Sequence, residues 1–125
     1  MLTSSIGVIL IVSGGVTALA GSAALLLPRL TLRLAFGESS PTASTLFFAI
    51  HWGALIFLVG ALTVYSSQSV AIRTPILIAA AIEKFLIVGL VFFGPLRRTK
   101  LMTLIAATDG LFAVLYTVYL VTGGA

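Results

Sequence analysis

The chain has 125 residues, of which 60% are hydrophobic and 8% are charged, and its formal net charge is +4. With a mean hydropathy of +1.25 it carries more apolar surface than a water-soluble domain of this length can bury, which predicts a single-domain integral membrane protein. Its positive residues mostly lie in short loops, where they set topology and meet anionic lipid, so no nucleic-acid partner is expected. The absence of cysteine excludes disulfides, thiolate chemistry and cysteine-ligated metals.

Four apolar segments have the length of about 20 residues that an α-helix needs to cross a bilayer. The predicted spans are residues 5–27, 44–65, 75–94 and 101–121. Pro75 is a favoured first helical residue, and Gly94-Pro95 is a stop signal for the third span. Because the loops are short, sequential helices should be antiparallel neighbours. The predicted fold is therefore an all-α, antiparallel four-helix membrane bundle with up-down-up-down topology.

The first span contains Ala18-Leu19-Ala20, which resembles the small-residue cleavage site of a signal peptide. A signal peptide also needs a basic amino-terminal region, and Met1 to Ser5 contains no Lys or Arg. We therefore expect this span to be a retained membrane helix.

Residues 28–37 follow the first span and are too short to cross a membrane. The pairs Arg29/Arg33 and Leu30/Leu34 each have a spacing of four, which favours a short amphipathic helix in the headgroup region. An irregular loop is the alternative.

Positive residues are concentrated in the loops after the first and third spans. These loops contain Arg29, Arg33, Arg97, Arg98 and Lys100, whereas the loop after the second span contains only Arg73. Cytoplasmic loops are enriched in Lys and Arg, so both termini are predicted to lie on the outer side of the inner membrane. Tyr65, Tyr116 and Tyr119 are then expected as anchors at the outer interface.

Small residues recur at helical spacing in the first two spans. Gly14, Ala18 and Ser22 are spaced by four, and Gly53 and Gly60 by seven. Small residues let helix backbones approach closely in a membrane. Packing within the chain is the preferred interpretation, and a homodimer face on the first span is the alternative.

Four ionisable residues, His51, Glu83, Lys84 and Asp109, lie within the spans, where such groups are costly and mark a site, a pair or a pathway. By helix rise, His51 lies about 10 Å, Asp109 about 12 Å and Lys84 about 16 Å from the same membrane boundary. A Lys84–Asp109 pair with His51 nearby is predicted. Glu83 and Lys84 are adjacent and point about 100° apart, so they are expected to serve different faces of their helix.

This polar set is compatible with a network that fixes helix register, a small-molecule or lipid-headgroup site, a proton-coupled pathway, or haem ligation by His51 across a dimer. Trp52, beside His51, could stack on a ligand, although packing is the simpler interpretation. A single histidine excludes a multi-histidine metal site. The sequence contains no phosphate loop, dinucleotide fingerprint or Gly-x-Ser-x-Gly motif. No cofactor is identified.

Several short patterns run through the whole chain: Gly14-Gly15, Leu27-Pro28-Arg29, Phe36-Gly37, His51-Trp52-Gly53, Gly60, Glu83-Lys84 and Asp109-Gly110. With them the chain resembles the DoxX-like group of small bacterial four-helix membrane proteins. That group takes its name from a subunit associated with a quinol oxidase, and some members look like partners of redox or stress-response membrane complexes. The resemblance implies no particular catalytic residues.

These observations favour a non-enzymatic membrane binding or accessory subunit. Its polar cluster of His51, Trp52, Glu83, Lys84 and Asp109 would hold a quinone-like or lipid-like molecule, or a partner helix. The alternative is a proton-coupled transporter of small molecules acting as an oligomer, and an enzyme ranks third. The expected partners are membrane lipids, a hydrophobic small molecule, and further copies of the chain or a larger membrane complex.

Overall fold

The computed structural model describes residues 2–95 and 99–122, and within these ranges the chain is helical with no strand. The helices are α1 (Leu2–Leu26), α2 (Pro28–Phe36), α3 (Ala43–Ser66), α4 (Val70–Phe93) and α5 (Lys100–Thr122). All but α2 are long and apolar enough to cross a membrane. The predicted all-α four-helix membrane bundle is thus confirmed. Arg97 and Arg98 of the third loop lie outside the described residues.

The third spanning helix, α4, begins at Val70 and not at Pro75, five residues earlier than the sequence predicts. Pro75 lies in the second turn, where its missing N–H costs one intrahelical hydrogen bond. The turn before it is tied to the end of α3 by the buried Arg73, whose Nε donates to the Ser66 carbonyl at 2.9 Å and whose Nη2 donates to the Ser67 carbonyl at 3.1 Å. A cation at these carbonyls also complements the dipole of α3.

The four long helices form a ring in which α1 contacts α3 and α5, and α4 contacts α3 and α5. The closest pair is α1 and α3, which run antiparallel. A Cβ built on Gly14 would lie 2.7 Å from the Gly60 carbonyl oxygen, and one on Gly21 would lie 2.7 Å from that of Gly53. These glycines therefore serve packing between helices of the same chain. The spacing of four from Gly14 and Ala18 predicted a contact at Ser22, but the residue that contacts the backbone of α3 is Gly21.

The two ends of the bundle differ in packing. At the end formed by the α3–α4 turn, here called the Arg73 end, a core cluster fills the interior: Ile6, Leu10, Leu77, Ala80, Ala81, Tyr116 and Tyr119. At the opposite end, here called the α2 end, a smaller core cluster of Ala35, Val91, Met102 and Ala106 lies beside a cavity that opens to the outside of the bundle. The buried Lys84 of α4 lies between the residues that α4 contributes to these two regions.

Two of the predicted interfacial tyrosines lie inside this core and not at a membrane surface. Tyr116 and Tyr119 are buried, whereas Tyr65 is 58% exposed. Tyr116 shares a hydrogen bond with Ser13 on α1, and Tyr119 accepts one from Arg73 Nη1 at 3.2 Å. Buried tyrosine hydroxyls need partners, and α5 points both of these toward polar groups of neighbouring helices.

The segment after α1 is a helix, as the spacing of its Arg and Leu pairs favours, and it closes the α2 end. Its residues Leu32 and Ala35 are buried, while Arg29 and Arg33 are exposed. The helix ends at Gly37, whose φ of 69° is the left-handed cap conformation that glycine adopts most readily. The α2 helix therefore packs Leu32 and Ala35 against the bundle and exposes its arginines together with Leu30 and Leu34.

Candidate functional site

A lysine occupies the centre of the bundle, where α1, α4 and α5 meet. Lys84 is 1% exposed, and its Nζ donates to Thr17 Oγ1 at 2.7 Å and to Asp109 Oδ1 at 3.1 Å. The same ammonium lies 5.6 Å from the centre of the Phe112 ring, within the range of a cation–π contact. The Lys84–Asp109 pair predicted from matched membrane depth is therefore present.

Glu83 belongs to the same polar centre, which corrects the expectation that it would serve a separate face. Its Oε1 lies 4.0 Å from Lys84 Nζ. Adjacent helical residues diverge at the Cβ atom, but a long lysine side chain can bend back toward its neighbour. Two carboxylates and one ammonium thus share one region of the bundle.

One oxygen of Glu83 is left without a hydrogen bond. Its Oε1 is buried and has no hydrogen-bond partner among the described residues. Lys84 is 4.0 Å away, beyond hydrogen-bond distance, and already donates to Thr17 and Asp109. A buried acceptor without a donor is costly, so this atom marks a place where a donor would be favourable.

A small cavity of about 170 Å³ adjoins these carboxylates and is here called the polar cavity. Its polar lining residues are Thr17, Trp52, Glu83, Thr108 and Asp109, and the rest of its lining is apolar. The side chains of Glu83 and Asp109 keep 23% and 17% of their surface accessible. Both acids can therefore reach a molecule in this cavity.

A larger cavity of about 520 Å³, here called the apolar cavity, lies nearer the α2 end. Its walls come from all five helices and are mostly apolar, and polar residues join them at the α2 end: Thr31, Glu38 and Thr45. Trp52 lines both cavities. The indole is therefore part of the wall of both the acid-lined cavity and the apolar one.

The structure does not bring His51 to the cluster. His51 is exposed on the outer face of α3 and stacks on Phe47, with ring centres 6.3 Å apart and ring planes 4° apart. Because His51 and Trp52 are consecutive, their side chains diverge by about 100°, and Trp52 takes the inward direction. Of the predicted site residues, the structure assembles Trp52, Glu83, Lys84 and Asp109.

Sequence reasoning missed several partners of this network because they are ordinary hydroxyls. Thr17 of α1 accepts a hydrogen bond from Lys84. Ser13, one turn away on α1, shares a hydrogen bond with Tyr116 of α5. The signal was present in their spacing, since Ser13 and Thr17 are four residues apart and Asp109 and Tyr116 are seven apart. Such spacings place each pair on one helix stripe, facing the same neighbour.

Comparison of the chain with protein-family models, with curated proteins and with solved structures finds no match. The fold and the site therefore rest on the chain's own residues, and the resemblance to the DoxX-like group stays an expectation from the sequence.

Proposed function

We propose that this small multi-pass membrane protein is a non-enzymatic binding or accessory subunit that holds one amphiphilic molecule, quinone-like or lipid-like, in its two adjoining cavities. The observation that carries the proposal is the buried Glu83 Oε1, which lacks a hydrogen-bond donor and belongs to a residue that lines the polar cavity. A ligand head that donates to the Glu83 carboxyl group, whose side chain keeps 23% of its surface accessible, would supply a donor that the described residues do not.

The dimensions of the site favour a small molecule over a partner helix as its occupant. A helix with its side chains is about 10–12 Å across and cannot enter a space of about 170 Å³ beside Glu83 and Asp109. Sites for drug-sized molecules have volumes of about 300–1,000 Å³ and are mainly apolar with a few convergent polar groups. The apolar cavity, at about 520 Å³, falls within that range.

The membrane placement is part of the same proposal. We place the α2 end at the cytoplasmic side of a bacterial inner membrane, because Arg29 and Arg33 are exposed on α2 and the loop rule puts such charges inside. Grouping the chain with DoxX-like proteins rests on the sequence patterns alone.

Trp52 supplies the test, because it is the only tryptophan of the chain and lines both cavities. In nanodiscs of phosphatidylcholine, we expect a short-tailed benzoquinol or a lysophospholipid to change Trp52 fluorescence in a saturable manner. Glu83→Gln should weaken that binding by about tenfold, since a hydrogen bond to a charged group contributes about 1.5–3 kcal/mol.

The matched control is His51→Ala, one residue from Trp52 but facing away from the cavities. It should bind each probe as the wild type does. A second control moves the fluorophore to the lipid face at similar depth, as Trp52→Phe/Leu111→Trp, and reports partitioning into the bilayer only. A wild-type response that is linear and equal to that of this second control would contradict the proposal.

A proton-coupled transporter acting as an oligomer is the second candidate, and the unpaired Glu83 oxygen favours it as well, because a carboxyl facing a cavity can exchange protons. Substrate-stimulated proton flux in liposomes, lost in Glu83→Gln, would select the transporter. If substrate does not stimulate proton flux in the wild type, the proposal of a binding subunit is retained.

A further inference from the structure

We propose that the molecule held in these cavities is a single-tailed amphiphile with a cationic, amine-bearing head. Its head lies against Glu83 and Asp109 in the polar cavity, its tail fills the apolar cavity, and Trp52 lies beside the junction of the two. This inference rests on the proposed function and narrows its ligand class.

The shape of the space indicates a small head and a longer tail. The polar cavity has about one third of the volume of the apolar one, 170 against 520 Å³, and the two share Trp52 as a lining residue. The polar cavity accommodates an ammonium group and a few carbons. The apolar cavity supplies the aliphatic and aromatic surface that a hydrocarbon tail requires.

The charges of the site select the sign of the head. Two acidic groups, Glu83 and Asp109, face one ammonium, Lys84, so acids outnumber bases in the cluster. Lys84 already donates to Thr17 and Asp109, which leaves acceptors in surplus and donors scarce. An anionic head would meet like charge, and a quinone carbonyl would bring another acceptor. An ammonium brings three donors and the compensating charge.

A further residue fits a cationic head. Trp52 lines the polar cavity next to the carboxylates, and a cation over an indole gains cation–π attraction. At the α2 end, the exposed cations Arg29, Arg33 and Lys100 outnumber the exposed acid Glu38. The preference for a cation therefore comes from the polar cavity and not from the charge of that end.

The test compares three probes with the same tail and different heads: dodecylamine, dodecanol and dodecanoate. Binding is measured by Trp52 fluorescence in phosphatidylcholine nanodiscs, and the Trp52→Phe/Leu111→Trp protein corrects for partitioning into the bilayer. We expect dodecylamine to bind about tenfold more tightly than dodecanol, because its bonds are to charged acceptors, and dodecanoate to bind most weakly.

Variants then show which residues cause the preference for the amine over the alcohol. Glu83→Gln should reduce the amine-over-alcohol ratio to about one third or less, and Asp109→Asn should reduce it further, because each removes one negative charge from the head site. His51→Ala should keep the full ratio. If either acid variant fails to fold, the comparison of three heads on the wild type decides the proposal without it.

The outcomes separate this inference from the proposed function. Equal, saturable binding of all three probes would overturn the cationic head but leave a binding subunit for amphiphiles. Preferred binding of dodecanoate would overturn it in the same way and assign the site to anionic heads through Lys84. No saturable binding of any probe would overturn both.

Discussion

At the residue scale, the three charged groups of the bundle centre are unequal. Lys84 is almost fully buried and bonds Thr17 and Asp109, whereas Asp109 and Glu83 keep part of their surface in the polar cavity. Removing one partner of a buried pair leaves the other charge uncompensated, and that cost exceeds the gain from the intact pair. The consequences of mutation should therefore depend on which partner is removed.

We predict that Lys84→Met lowers the free energy of unfolding by about 3–5 kcal/mol, because it leaves two carboxylates facing each other in a mainly apolar interior. Asp109→Asn should cost clearly less, since the Glu83 carboxylate, 4.0 Å from Lys84, remains to compensate the ammonium. Unfolding equilibria in mixed micelles measure both values.

The double variant completes the cycle for this pair. If Lys84 and Asp109 interact, the combined loss must differ from the sum of the single losses. Additive losses would contradict coupling, and a larger loss for Asp109→Asn than for Lys84→Met would contradict the role given to Glu83.

At the scale of helices, glycine placement determines how α1 meets α3. A Cβ on Gly60 would come within 2.6 Å of the Gly14 carbonyl oxygen and would also meet the backbone of Ala18. A Cβ on Gly15, also in α1, would meet nothing within 4 Å. Both glycines lie within long apolar helices, but only Gly60 lies where two helix backbones approach closely.

We predict that Gly60→Ala lowers the free energy of unfolding by about 1–3 kcal/mol, the usual cost of overpacking a tight contact. Gly15→Ala should be neutral or stabilising by up to about 1 kcal/mol, because alanine is the better helix former and has space there. Thermal unfolding of the two variants in the same detergent makes the comparison. Equal destabilisation by both would show that backbone contact is not the reason for glycine at position 60.

At the scale of the whole molecule, exposed positive charge is distributed unequally between the two ends of the bundle. The α2 end carries Arg29, Arg33 and Lys100, while the cation of the α3–α4 turn, Arg73, is buried against backbone carbonyls. The orientation predicted from loop charge therefore remains a prediction, and this distribution is compatible with it.

We predict that Ser40→Cys, in the loop before α3, is labelled by a membrane-impermeant thiol reagent only from the cytoplasmic side. Gln68→Cys, in the α3–α4 turn, should be labelled only from outside. The chain has no cysteine of its own, and both positions are exposed, so each variant reports one site. The reverse pattern would contradict the predicted orientation and place the α2 end outside.

The sequence by itself determined the fold class and the central ion pair of the polar centre. Four apolar segments of membrane-spanning length are recognisable because insertion into lipid depends on local hydropathy and helix length. The Lys84–Asp109 pair was also predictable, since helix rise converts sequence position into depth. Depth along the membrane normal does not say in which direction a side chain points. It therefore assigned His51 to the layer of Lys84 and Asp109, although His51 faces outward.

Only the tertiary structure decided which side chains of that layer meet. The rotation of α3 turns Trp52 inward and His51 outward, and the packing of the helices leaves the two cavities that Trp52 lines. Helix rotation and packing come from contacts between helices, such as the Gly14–Gly60 approach, which involve residues far apart in the sequence. The inward burial of Tyr116 and Tyr119 has the same origin, because their partners Ser13 and Arg73 lie on other helices.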